Sequence, residues 1–324
     1  MTEVLQLSTL QRILGVKMKA YSIFDDFTPE AVSVLKKSGI ELTVHPLGVP
    51  RPNDVQMKKI LEENDCVIIG TSQKITPDMF ENVTGKRIIA TASVGLDHIN
   101  LPNNSKEKVI IINTPKANAQ SVAEYTMGCA LSCVKRLQEG SALYALGKNN
   151  KALSNKPEDM AGKTIGVIGA GNISAKIMDY AILFGMKPIY WTAHPERHLE
   201  IAERGIQFVS LEELAKQSDV ISVNLPNNEG TAGLISADLI QQMKESAIFI
   251  SVSRLQTIDY DALFFKAEEN PNFYVCLDID VNDNVVRRKP DLFNVLVTPH
   301  IAGGTVETRK RMFLELANQI ADIV

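Results

Sequence analysis

The sequence predicts two α/β domains, each a doubly wound parallel sheet with helices on both faces. Three observations lead there. The chain has 324 residues, and domains run to roughly 100–200 residues each. Short apolar runs alternate with amphipathic stretches, the pattern of strand and helix in a parallel sheet. Many of the apolar runs are near-continuous, as strands covered on both faces must be.

The elements follow in order. The first 17 residues read as a helical extension or an overlong start, because strand-like sequence begins at Met18. They lack the basic start, continuous apolar block and small-residue cleavage site of a secretion signal. KAYSIF reads as a strand. Pro29 to Lys37 reads as a helix with Thr28 as its N-cap, since a threonine before the first turn can accept from a free N–H. ELTVH, DCVIIG, KRIIATAS and VIIINT complete the first set of strands. Ala117 to about Leu146 is rich in Ala and Leu and free of Pro, and reads as one or two helices. GKNNKALSNKP is a polar surface connection. The second set of strands is KTIGVIG, KPIYWT, QFV, DVISVNL, AIFISV, FYVCLDI and NVLVTP, with helices between most of them.

Composition narrows the function. A net charge of -4 without long basic runs gives no general attraction to nucleic acid or an anionic membrane. No apolar stretch approaches the roughly 18–20 residues of a spanning helix. The four cysteines form no C-x-x-C pair, so they read as buried thiols in a reducing cytoplasm rather than as disulfides or a metal site.

One strand–turn–helix segment carries a nucleotide signal, Gly169-x-Gly171-x-x-Ser174. Gly169 allows the tight turn, and Gly171 lets the backbone approach a pyrophosphate. The phosphates would rest on the helix N-terminus opened by Asn172 and Ile173, where N–H groups and the helix dipole favour anions. The bland reading is a tight turn and nothing more. An NAD-binding site usually has Asp or Glu at the end of the second strand, but here that place holds Thr192, followed by His194, Glu196 and Arg197. A hydroxyl with two potential cations suits a 2′-phosphate better than a carboxylate would, which tilts NAD or NADP toward NADP. The bland reading of His194 and Arg197 is a solvated helix start.

Three later segments end apolar strands in polar groups. Arg254 can hold a carboxylate through two hydrogen bonds. His300 can deliver a proton near neutral pH. Asp283 can hold that imidazole in orientation and favour its charged form. Taken singly, such a His or Arg is more often a satisfied surface group, and His45, His98 and His198 read as surface or structural residues.

The motifs together resemble the D-isomer-specific 2-hydroxyacid dehydrogenase family. They are Ser93-Val94-Gly95-Leu96-Asp97-His98, Asn113-Thr114-Pro115, Ser121-Val122-Ala123-Glu124, Leu225-Pro226 with Thr231 and Gly233-Leu234, and Thr298-Pro299-His300-Ile301-Ala302-Gly303. The likeness runs from about Met18 to the C-terminal region, and the first motif looks most like glyoxylate/hydroxypyruvate reductases. The resemblance implies a Rossmann nucleotide domain and a flavodoxin-like substrate domain. It implies that Arg254 binds the substrate carboxylate, that His300 protonates the keto oxygen, and that backbone amides at Val94 and Gly95 grip the carboxylate. Asp278 would hold the nicotinamide carboxamide, while Pro226, Thr231 and Val252 would line the cofactor. The chain departs from the family pattern at Ser251, Leu255, Asp283-Asn284 and Tyr125, where Asn, Gly, Glu-Pro and a frequent His are usual.

The expected boundaries are 1–116 plus 301–324 for the substrate domain and 117–300 for the dinucleotide domain, with a cleft between them and hinges near Thr114-Pro115 and Pro299-His300. The expected reaction is hydride transfer between NAD(P)H and a small 2-keto acid or D-2-hydroxy acid. The resemblance also implies a homodimer, for which the Ala117–Leu146 stretch is the candidate interface. The alternative is a non-catalytic dinucleotide-sensing regulator of the same fold. A methyltransferase would leave Arg254 and His300 unexplained.

Overall fold

A computed structural model describes residues 17–101, 109–279 and 292–323. Most of the N-terminal segment and Asp283 lie outside the described residues. In chain order the elements are β1 (Lys19–Ser22), α1 (Pro29–Lys37), β2 (Glu41–Val44), α2 (Asp54–Glu63), β3 (Cys66–Ile69), β4 (Arg87–Thr91) and β5 (Val109–Ile112). Then come α3 (Ala119–Val134), α4 (Leu137–Ala145), β6 (Thr164–Ile168), α5 (Asn172–Leu183), β7 (Lys187–Trp191), α6 (Leu199–Glu203), β8 (Gln207–Phe208) and α7 (Leu211–Gln217). The last are β9 (Val220–Val223), α8 (Ala237–Gln241), β10 (Ile248–Ser251), α9 (Tyr260–Glu269), β11 (Tyr274–Asp278), β12 (Val295–Thr298) and α10 (Val306–Ile323). The chain divides into two units. One runs to Asn118 and resumes at Val306, and the other spans Ala119–Thr305.

In the first unit the strands are all parallel, in the order β2-β1-β3-β4-β5. The four residues of β3 are buried on both faces, which is why DCVIIG reads as an unbroken apolar run. The C-terminal helix α10 completes this core with Phe313, Leu316, Ala317 and Ile320. Its Phe313 ring lies 5.0 Å from Phe24 and 4.7 Å from Phe27, centroid to centroid. Thr28 takes the N-cap place of α1, but its side chain makes no capping bond. Pro29 removes one of the first-turn donors a cap would satisfy. His45 corrects the surface reading. It is 7% exposed, its Nδ1 lies 2.7 Å from the Tyr21 hydroxyl, and its Nε2 faces the Val49 and Pro50 carbonyls.

Among the described residues the second unit has seven parallel strands in the order β12-β11-β10-β9-β6-β7-β8. The order reverses between β6 and β9, and such a reversal opens a crevice at the strands' carboxyl ends. Apart from the short edge strand β8, each strand divides its side chains between two separate cores. Phe249, Val275 and Leu277 join one, while Ile248, Ile250, Tyr274 and Cys276 join the other. The near-continuous apolar character of these strands follows directly.

Close packing of α7 on β6 depends on a missing side chain. A Cβ at Gly166 would collide with Ser218 Oγ and sit 2.5 Å from Leu214 Cδ2. Ser218 is fixed there because its hydroxyl donates to the Leu214 carbonyl at 2.7 Å. Gly166→Ala is therefore expected to cost about 1–3 kcal/mol through overpacking. By calorimetry that is a drop of several degrees in the melting of the larger unit. A midpoint unchanged from wild type would show that α7 shifts without cost.

Candidate active site

The parallel sheet of the larger unit delivers its candidate residues to one edge. Gly169 follows β6, Thr192 follows β7, Pro226 lies beyond β9, Arg254 beyond β10, and His300 beyond β12. Asp278 ends β11 and pairs in register with Thr298.

At the Gly-rich turn the two glycines differ in what requires them. Gly169 has φ of 103° and its N–H donates to the Trp191 carbonyl at 2.8 Å. A Cβ there would stand 2.6 Å from the Asn224 carbonyl oxygen, so both conformation and packing exclude a side chain. Gly171 is the N-cap of α5, with ordinary extended backbone and no side chain to cap the first turn. A Cβ at Gly171 would meet nothing within 4 Å. The fold does not require this glycine, and its absent side chain leaves room at the helix N-terminus beside Asn172 and Ile173. Nearby, Asn224 Oδ1 is buried without a hydrogen-bond partner among the described residues. Uncapped helix start, open space and an unpaired acceptor fit a dinucleotide. Ser174, at the third position of the motif, is fully buried with its hydroxyl also unpartnered.

At the end of the second strand, Glu196 lies between the two candidate cations. Its Oε1 is 3.3 Å from His194 Nδ1 and 3.8 Å from Arg197 Nε. All three side chains are more than half exposed.

Serines brace the loops after β9 and β10. Ser253 Oγ accepts from the Leu225 N–H at 2.7 Å and donates to the Val223 carbonyl at 3.0 Å. Ser251 Oγ accepts from the Ser253 N–H at 3.2 Å. Between them Val252 is half-buried. Thr231 donates to the Pro226 carbonyl at 2.6 Å and so folds the 226–231 loop onto itself. Arg254 is half-buried and stands at the N-cap position of the short 3-10 turn Leu255–Thr257, without a side-chain capping bond. Its carbonyl accepts from the Thr257 hydroxyl at 2.8 Å, which fixes the point from which the guanidinium projects.

His300 is exposed and has φ of 53°, one of two non-glycine residues in the left-handed region among those described. Such a conformation costs about 1–3 kcal/mol and persists only when its surroundings enforce it. Here Asp278 enforces it. The carboxylate, 4% exposed, accepts from the Thr298 hydroxyl at 2.5 Å, the Ile301 N–H at 2.8 Å and the Ala302 N–H at 2.8 Å. These bonds pin both flanks of His300. Three thiols cluster beneath. The Cys129 and Cys133 thiols, together with burial, push the Cys276 thiol well above its usual range, so it stays protonated. Among the described residues no group of three or more His, Cys, Asp or Glu side chains is arranged to hold a metal ion.

Val94 and Gly95 belong to the other unit, after β4. Their carbonyls are engaged, by Asn113 Nδ2 at 2.8 Å and the Ser93 hydroxyl at 2.8 Å. His98 Nε2 meets the Thr91 hydroxyl at 2.9 Å, a structural role. The sequence did not disclose Asn224, Ser253 or the partners of Asp278. Only the Asn-to-Ser change at Ser251 hinted that this loop is braced differently.

The model of the NAD binding domain of D-isomer specific 2-hydroxyacid dehydrogenases matches residues 127–302. The chain is 34% identical over 303 residues to a hydroxypyruvate reductase of Thermotoga maritima, covering 91% of this chain and 95% of that one. It is 27% identical over 290 residues to a glyoxylate reductase of Thermofilum pendens, covering 88% and 85%. Among solved structures, an acyclic imino acid reductase in complex with NADPH and D-Arg superposes with a TM-score of 0.79 at 25% identity, covering 94% and 96%. A D-lactate dehydrogenase of Aquifex aeolicus, complexed with NAD and lactic acid, shares the fold with a TM-score of 0.76 at 24% identity, covering 93% and 94%.

The open space at Gly171 yields a test that separates folding from binding. Gly171→Ala is expected to leave the melting midpoint unchanged and to weaken NAD(P)H binding by about tenfold or more, about 1.4 kcal/mol, measured by fluorescence titration. Unchanged affinity would place the pyrophosphate elsewhere.

Proposed function

The chain belongs to the D-isomer specific 2-hydroxyacid dehydrogenase family, and we propose that it reduces glyoxylate or hydroxypyruvate to the D-2-hydroxy acid. It is an NAD(P)-dependent oxidoreductase. The observation that carries the substrate reading is that Arg254 and His300 leave neighbouring parts of one sheet edge, the edge that also bears the Gly169 turn. The names of the relatives in Thermotoga maritima and Thermofilum pendens support these two keto acids.

Bound nicotinamide cofactor supplies the hydride, and the protein supplies orientation and electrostatics. Gly169, Gly171, Asn172 and Ile173 would hold the pyrophosphate, with Thr192 at the adenosine ribose. Pro226, Thr231, Val252 and Asp278 would flank the remainder. The planar fork of Arg254 binds the substrate carboxylate and polarises the keto oxygen. Protonated His300 gives its proton to the keto oxygen, and Asp283 would be its acid partner.

Thr192 leaves no carboxylate at the strand end itself, so NADPH is expected to serve at least as well as NADH. We place the enzyme in the cytoplasm, in keeping with four free, buried cysteines. It is proposed to work as a homodimer through the α4 region, where Leu137, Tyr144 and Leu146 are 60%, 85% and 69% exposed. Such apolar exposure suits a buried interface.

Steady-state kinetics with a panel of 2-keto acids, run separately with NADH and NADPH, tests the whole reading. Glyoxylate or hydroxypyruvate should give the highest kcat/KM, and no activity on any keto acid would overturn it. His300→Ala should lower turnover by about 10²–10⁴-fold, as losing a general acid does. Arg254→Lys keeps the charge but loses the fork, so KM should rise sharply. Kinetics within about twofold of wild type for either variant would remove that residue from its role. Thr192→Asp should swing preference toward NADH by adding repulsion against the 2′-phosphate. A wild-type preference for NADH of about tenfold or more would instead assign the ribose to Glu196.

A further inference from the structure

Helix α3 reaches the His300 loop at two points. Ser121 donates its hydroxyl to the Ala302 carbonyl at 2.6 Å. One turn later, Tyr125 places its hydroxyl 2.7 Å from Thr298 Oγ1. The direction of the second bond follows from counting hydrogens. Thr298 has one hydroxyl hydrogen, and it donates to Asp278 Oδ1 at 2.5 Å. Its oxygen must therefore accept from Tyr125. A one-way chain results, from the phenol to the threonine hydroxyl to the carboxylate.

The far end of that chain is the carboxylate that holds the Ile301 and Ala302 amides. Between the two anchored flanks stands His300 with its left-handed backbone. We propose that Tyr125 is a positioning residue for the reaction, acting through Thr298 and Asp278 to fix where the His300 imidazole stands. This rests on the reading of His300 as the general acid. Without the phenol, Thr298 loses its donor and can rotate its hydroxyl away from Asp278. The carboxylate then gains freedom to turn, and the strained His300 backbone loses part of what enforces it.

Two features suit the phenol to this task. Burial pushes it above its usual range, so it remains a donor at any working pH. The ring is half-buried and packs against one of the two cores of this unit, which limits its rotation. Tyr125, which begins this hydrogen-bond relay, comes from a helix that Thr298 meets only through tertiary packing, 173 positions away in sequence.

The test uses the full-length enzyme with glyoxylate or hydroxypyruvate, whichever it turns over faster. Tyr125→Phe removes only the hydroxyl. It should lower kcat by about tenfold or more, because small displacements of a reacting group are costly. The KM for keto acid should stay within about twofold, since Arg254, the proposed carboxylate anchor, is not part of this relay. Thr298→Val should give a similar loss, and the double variant no further loss, as members of one chain are non-additive. In a His300→Ala background, Tyr125→Phe should leave the residual single-turnover rate unchanged. A kcat for Tyr125→Phe near wild type, additivity with Thr298→Val, or an equal loss without His300 would each overturn the proposal. If His300→Ala itself turns over normally, the acid assignment fails and this proposal with it. An impaired His300→Ala beside a normal Tyr125→Phe overturns the positioning role alone.

Discussion

Every strand pair in both sheets is parallel, and the rest of the structure depends on that constraint. A parallel neighbour can be reached only by a crossover, so helices must lie over the faces. The faces are then apolar on both sides, and polar groups are driven to the strand ends. The carboxyl ends of all strands in one sheet share an edge, so the loops that can carry chemistry are gathered there without further instruction. Gly169, Thr192, Pro226, Arg254 and His300 stand together for this reason, although 131 positions separate the first from the last.

Within that edge, one buried carboxylate organises the loop that carries His300. A charge as enclosed as Asp278 is costly unless it is fully hydrogen-bonded. It meets the condition with one hydroxyl and two backbone amides. Those same bonds hold a non-glycine residue in a left-handed conformation at His300. A buried anion and a strained backbone, each unfavourable alone, are here mutually compensating. The arrangement is also economical in geometry, because Asp278 and Thr298 are register partners on adjacent strands. The sheet ladder itself sets the distance between carboxylate and loop.

The parts legible in the sequence are those whose cause is local. Both-face burial writes apolar runs into FYVCLDI and AIFISV, so the strands could be read one after another. Gly169 was readable because its turn demands positive φ, and Thr-Pro-His because the motif is contiguous. Tyr125 showed only as a departure from a family pattern, since the reason for a phenol is a threonine on a distant strand. His45 looked like a surface histidine for the same reason, as its partner Tyr21 lies on the neighbouring strand. Gly166 carried no signal either. Its need arises where α7 presses on β6, a close approach that no local pattern records.

The segment that follows β7 shows how a local motif and its electrostatics can point in different directions. Thr192, His194 and Arg197 together suggest a phosphate, but Glu196 already lies against both the His194 ring and the Arg197 guanidinium. The strength of that pairing decides whether it matters. Exposed ion pairs of this kind contribute only about 0–1 kcal/mol, because water screens them and long side chains lose freedom in forming them. A 2′-phosphate brings more negative charge and several acceptor oxygens, and bonds of that charged kind are roughly twice as strong as neutral ones. Glu196 is on a solvated turn and can rotate away, whereas an Asp at position 192 would be fixed at the strand end and could not. The identity of the residue on the rigid element therefore outweighs the charges on the turn that follows it.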